Sequence, residues 1–110
     1  MKKALIVCGG WDGHDPEKFA QLVSEFLKSN DYDIRIEKET AAFAGDFVHD
    51  MDLIIPIFTM AFGFSPKGEI KKEEVSNVAK AVVNGAGLAG FHGGMCDAFR
   101  QSIDWQFMTG

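Results

Sequence analysis

The chain has 110 residues, 46% hydrophobic and 25% charged, with a formal net charge of −5. That length suits one domain, and the balance is that of a folded globular protein able to bury roughly 60–70% of its unfolded surface. The acidic balance, with no basic cluster larger than Lys2-Lys3 or Lys71-Lys72, argues against nucleic acid or anionic membrane as partners, and no stretch approaches the roughly 20 apolar residues of a membrane span.

The N-terminus starts with two lysines like a secretory signal, but its apolar run covers only Ala4 to Cys8 before Gly9-Gly10. An h-region needs about 7–15 apolar residues, so residues 4–8 are predicted as a strand buried on both faces. The two cysteines, Cys8 and Cys96, are too few for a disulfide framework, and a reduced, cytoplasmic setting is expected. Asp15-Pro16-Glu17 has the pattern of a helix start, with Asp15 as N-cap and Pro16 at the first helical position. Phe19, Leu22, Val23, Phe26 and Leu27 follow at helical spacing as one apolar stripe, ended by Ser29-Asn30-Asp31.

Residues 32–39 alternate Ile34 and Ile36 with charges, as an edge strand with one wet face does. Residues 40–51 read as a short helix or loop through Phe43, Phe47 and Val48, and 52–58 as a buried strand with Pro56 near its end. Residues 59–69 form a loop that includes Thr59 and Phe62. A second helix carries Val75, Val78, Ala79, Val82 and Val83, with Asn84-Gly85 as its C-cap. Residues 87–91 make a fourth strand, and a last helix from about Gly94 carries Ala98, Phe99 and Ile103.

Short apolar strands alternating with helices predict a parallel sheet covered on both faces, a flavodoxin-like three-layer sandwich with strand order 2-1-3-4. The chain ends on a helix with no fifth strand over the sheet edge, which suggests the front half of a larger α/β domain and a tendency to homo-oligomerise. Ligands of such sheets bind beyond the carboxyl ends of the strands. His14 follows strand 1 and His92 follows strand 4, whose axes lie about 10 Å apart by ordinary strand spacing, a distance over which loop side chains can converge. Trp11, Asp12 and Asp15 share the first loop, so imidazoles, carboxylates and an indole collect over one crevice suited to a sugar or other polyol. His49 has no such placement and is expected on the surface.

"GFHGG" (90–94) imitates a nucleophile elbow, in which small residues clear a tight strand-to-helix turn and the central side chain is pushed out in strain. Amides at that turn could hold an anion. With His92 at the centre the turn suits general acid/base work or metal ligation better than acyl transfer. Cys96, four residues on, is expected as a buried small hydrophobe. A divalent metal on His14 and His92 with Asp12 or Asp97 stays an open alternative, without a compact HxxxH or CxxC spacing to support it. The first loop lacks G-x-G-x-x-G, and its acidic residues would repel a pyrophosphate; it also lacks the hydroxyl cluster of a flavin phosphate loop. Neither nucleotide nor flavin is expected.

Taken together, "GGWDGHDP" (9–16) and "NGAGLAGFHGGMCDAFRQSIDWQFMTG" (84–110) resemble the ThuA-like family, named for trehalose utilisation, within the class I glutamine amidotransferase-like superfamily. The resemblance runs through nearly the whole chain, although family members continue past the final M-x-G. It implies a flavodoxin-like fold and a role in the metabolism of a sugar or sugar derivative. Position by position, it places the family's recurrent histidines at His14 and His92 and its flanking positions at Trp11, Gly13, Gly93, Phe99 and Arg100. The elbow cysteine of glutaminases is absent at position 92, which argues against that activity. The resulting expectation is His92, His14 and Asp12 as catalytic groups, with Trp11, Gly13, Gly93, Gly94 and Arg100 around a small carbohydrate. A non-catalytic sugar-binding module and an inactive oligomerising fragment are the alternatives.

Overall fold

In the computed structural model, which describes residues 1–59 and 70–110, strand β1 (Lys2–Gly10) lies between β2 (Tyr32–Glu37) and β3 (Leu53–Thr59), with β4 (Gly87–Leu88) beyond β3. All pairings are parallel and the order is 2-1-3-4, as predicted. The expected loop after Thr59, including Phe62, lies outside the described residues.

The two-residue period of a strand divides the core in two. Ala4, Ile6 and Cys8 of β1 join Ile55 and Ile57 of β3 under helix α1 (Pro16–Lys28). Leu5 and Val7 join Ile54 and Phe58 on the opposite face. That face is covered by α2 (Lys72–Val83), by two 3-10 turns (Thr40–Ala44 and Asp46–Asp50) that insert Phe43 and Val48, and by Phe99 and Trp105. The result is the flavodoxin-like sandwich. No described helix is long and apolar enough to cross a membrane.

Helix α1 departs from its predicted stripe. Pro16, Ala20, Ser24 and Leu27 face the sheet, whereas Phe19, Leu22 and Phe26 are 41%, 63% and 66% exposed. Small side chains let the helix lie close on β1, and the bulky ones are turned to its flank. Helix α2 buries Val75, Val78 and Ala81 and ends as expected, with the Asn84 N–H on Lys80 O and Gly85 at φ +114°. It also buries Glu74, which is 3% exposed with Oε2 unpartnered, and this desolvation pushes its carboxyl pKa up.

Pro56 sits in mid-strand, paired with Val7, rather than near the strand's end. The bonds Gly87 N–H to Asp52 O (2.8 Å) and Ala89 N–H to Ile54 O (3.0 Å) identify the even-numbered residues of β3 as those facing β4. The next donor in that ladder would be the N–H that Pro56 lacks, so β4 stops at Leu88 instead of running to residue 91.

The C-terminal helix α3 (Ile103–Thr109) begins later than predicted. Ser102 caps it, its hydroxyl accepting from Trp105 N–H at 3.2 Å. The Trp105 indole N–H donates to Met95 O at 2.8 Å, and its ring meets Phe99 edge-on at 4.6 Å. These contacts hold residues 95–101 as irregular turns beneath the helix, with Ala98 and Phe99 buried and Ile103 exposed.

Candidate active site

The chain leaves β1 through Gly10, at φ +82°, where a Cβ would lie 2.0 Å from Thr59 O and 2.7 Å from Thr59 N. Only glycine allows that approach, and it lets Trp11 N–H donate to Thr59 O at 3.0 Å. The first loop is thereby tied to the carboxyl end of β3. A 3-10 turn (Asp12–His14) follows, and Asp15 closes it at φ 48°, ψ 55°, its N–H on Asp12 O at 2.9 Å. Asp15 is the N-cap position of α1, but its side chain makes no capping bond. The His14 ring is fixed from two sides: Nδ1 lies 3.2 Å from Thr59 Oγ1, and the Trp11 ring stands 4.8 Å away, tilted by 59°.

Freed from the ladder at Pro56, the chain after β4 folds back over β3. Phe91 is extended, His92–Gly94 form a 3-10 turn, and Gly93 and Gly94 are buried. A Cβ on Gly93 would meet His14 Cε1 at 3.1 Å, so the first and last loops touch there. His92 has φ 26°, in the left-handed region that a side chain tolerates at about 1–2 kcal/mol. Among the described non-glycine residues the positive-φ positions are Asp15, Asp31 and His92, and two of these three line the same cleft. Strain of this kind collects at functional sites.

The cleft has a volume of about 390 Å³, within the range of small-molecule sites. His14, Asp15, Thr59 and His92 supply its polar groups, and Pro16, Phe19, Ile57 and Phe91 its apolar ones. A cavity of about 300 Å³ beside the Glu17–Lys38 pair and one of about 260 Å³ by Phe99 and Asp104 contain neither imidazoles nor strained backbone.

Of the residues predicted from sequence, His14, His92, Gly13, Gly93 and Gly94 line this cleft. Trp11 stacks on His14 and, with Asp12 and Arg100, lies outside the lining. Arg100 grips Asp97 with two bonds of 2.7 and 2.6 Å, and its guanidinium holds the Asp97 carboxyl below the usual carboxylate range. The metal set does not assemble: among the described residues no group of three or more His, Cys, Asp or Glu side chains could hold an ion. Two of the turn's amides are not offered to an anion, since Gly94 and Met95 N–H both donate to Phe91 O, at 3.0 and 3.2 Å. Cys96 is exposed rather than buried and does not share a helix face with His92. His49 is exposed and bonds Asn77 Oδ1 through Nε2 at 2.7 Å. Sequence reasoning missed Phe19 and Phe91 as lining residues; it set both Asp12 and Asp15 over the crevice and chose Asp12 as the catalytic carboxylate, whereas Asp15 is the one that lines the cleft.

A parallel α/β sandwich whose strand ends gather imidazoles over a small cleft defines the class. The family model described as ThuA, trehalose utilisation, matches residues 3–110, and the chain belongs to that family. No curated protein and no solved structure matches it.

Proposed function

We propose that this protein is an enzyme acting on a sugar or keto-sugar by proton transfer at the cleft, with His92 as general acid/base. The observation that carries this reading is the convergence of His14 and His92 on one cleft, with His92 held on a left-handed backbone. Thr59 engages His14 Nδ1 and leaves Nε2 as the nitrogen for a ligand, so His14 orients a hydroxyl or returns the proton. Asp15, rather than Asp12, is the carboxylate that lines the cleft, where it can accept a hydrogen bond from a ligand hydroxyl. Membership of the trehalose-utilisation family supports a carbohydrate as substrate. His92→Ala assayed by NMR and mass spectrometry against disaccharides and keto-sugars tests the proposal: turnover should vanish, and unchanged turnover would sink it.

The engagement of the Gly94 and Met95 amides favours a second reading, a sugar-binding module without turnover. Sugar binding with no product from any candidate would select it.

A further inference from the structure

We infer that Phe19 and Phe91 form a stacking wall that selects a single sugar ring, so that the ligand held in the cleft is monosaccharide-sized. This inference rests on the carbohydrate reading of the site and narrows it. The two rings come from separate elements, the first turn of α1 and the extended residue before His92, and meet with centroids 5.3 Å apart at 53°. Both line the cleft, yet they remain 41% and 47% exposed. Rings packed to complete the core behave differently: Phe43, Phe58 and Phe99 are 0–1% exposed in the opposite layer. Phe19 and Phe91 thus present apolar faces to the same space that receives His14, Asp15, Thr59 and His92.

A pyranose or furanose has matching chemistry, with C–H bonds on one face and hydroxyls around the edge. Its apolar face covers aromatic carbon, while its hydroxyls reach imidazole, carboxylate and threonine. Trp11 does not serve this purpose, because its ring is committed to His14 and lies outside the cleft lining.

Size decides between one ring and two. A dry cavity of about 150 Å³ accommodates benzene, roughly 25 Å³ per non-hydrogen atom. On that scale the cleft of about 390 Å³ has room for about 16 such atoms. A hexose has about twelve and a disaccharide about twenty-three, so one ring fits and the second stays in solvent.

The test measures binding of D-glucose, D-fructose and trehalose to the intact chain, by calorimetry and ligand-detected saturation-transfer NMR. Phe19→Leu and Phe91→Leu should each weaken glucose or fructose by about two- to tenfold, the scale of an aromatic contact beyond its area. Phe19→Tyr should restore affinity, and Phe26→Leu, an exposed position on the same helix outside the cleft, should leave it unchanged. Trehalose should bind within about threefold of glucose, its NMR signal concentrated on one ring. Phe19 is a half-exposed helix position, so its variants should fold even if those at Phe91 disturb the turn. Sugar affinity unchanged in Phe19→Leu, or trehalose bound more than about tenfold tighter than glucose, overturns the inference and leaves the role of His92 standing. A wild-type chain that binds none of the three sugars removes the carbohydrate reading as well.

Discussion

Replacing His92 by glycine and by alanine separates the imidazole from the backbone that carries it. Both variants lose the ring, but only glycine adopts φ 26° without a Cβ penalty. Left-handed geometry costs about 1–2 kcal/mol for a residue with a side chain, and glycine gives back about 0.5–1 kcal/mol through its freer unfolded state. His92→Gly should therefore be more stable than His92→Ala by about 0.5–1 kcal/mol, or about 2–5 °C in melting temperature for a domain of this size. Neither variant should turn over substrate. Thermal unfolding followed by circular dichroism at one pH measures the difference directly. A His92→Ala melting temperature equal to or above that of His92→Gly would refute stored strain at this turn, and with it the argument that the backbone pre-aims the ring.

Two further expectations concern the frame around the site. Gly10→Ala sets a Cβ 2.0 Å from the Thr59 carbonyl oxygen at φ +82°. Backbone cannot yield as a side chain can, so the loss should reach about 3 kcal/mol, read as a lower urea midpoint; an unchanged midpoint would contradict the close packing of β1 on β3. Glu74→Gln tests the buried carboxyl. Desolvation raises its folded pKa above the ordinary 4.5, so the folded state holds its proton longer than the unfolded state. Native stability should fall as pH rises from 4.5 through the raised value, and the penalty is fully present above it. Glu74→Gln should flatten that slope and gain about 1 kcal/mol near pH 8, and a wild-type slope that survives the substitution would assign it to another group.

The sheet order was legible because β1 and β3 are continuous apolar runs and because the helices between them are marked by Pro16 at the start of α1 and Asn84-Gly85 at the end of α2. The helix faces were not. In α1 the bulky Phe19, Leu22 and Phe26 outweigh Ala20 and Ser24 in any count of hydrophobicity, yet proximity to the sheet favours the small residues. His14 and His92 were legible as a pair because strand ends converge in this topology. Phe19 was hidden by being counted as core, and a shared loop gave no ground for choosing Asp15 over Asp12 as the carboxylate of the cleft. Residue spacing could not reveal that Arg100 turns to Asp97, since that contact depends on the irregular turns under Trp105.

The missing amide proton of Pro56 has a dynamic consequence. It ends the β4 ladder at the Ala89 N–H to Ile54 O bond, while β1 and β3 pair from Ala4 to Gly10. The turn at residues 90–94, which carries His92, can therefore open locally without breaking the central ladder. In hydrogen exchange its amides should form an early class that swaps long before those of Ile55 and Ile57. A sugar seated between Phe91 and His14 would bridge the opening part and the fixed part, and would slow that early class selectively. The proline that shortens one strand thus lets the turn beyond it report on what the cleft holds.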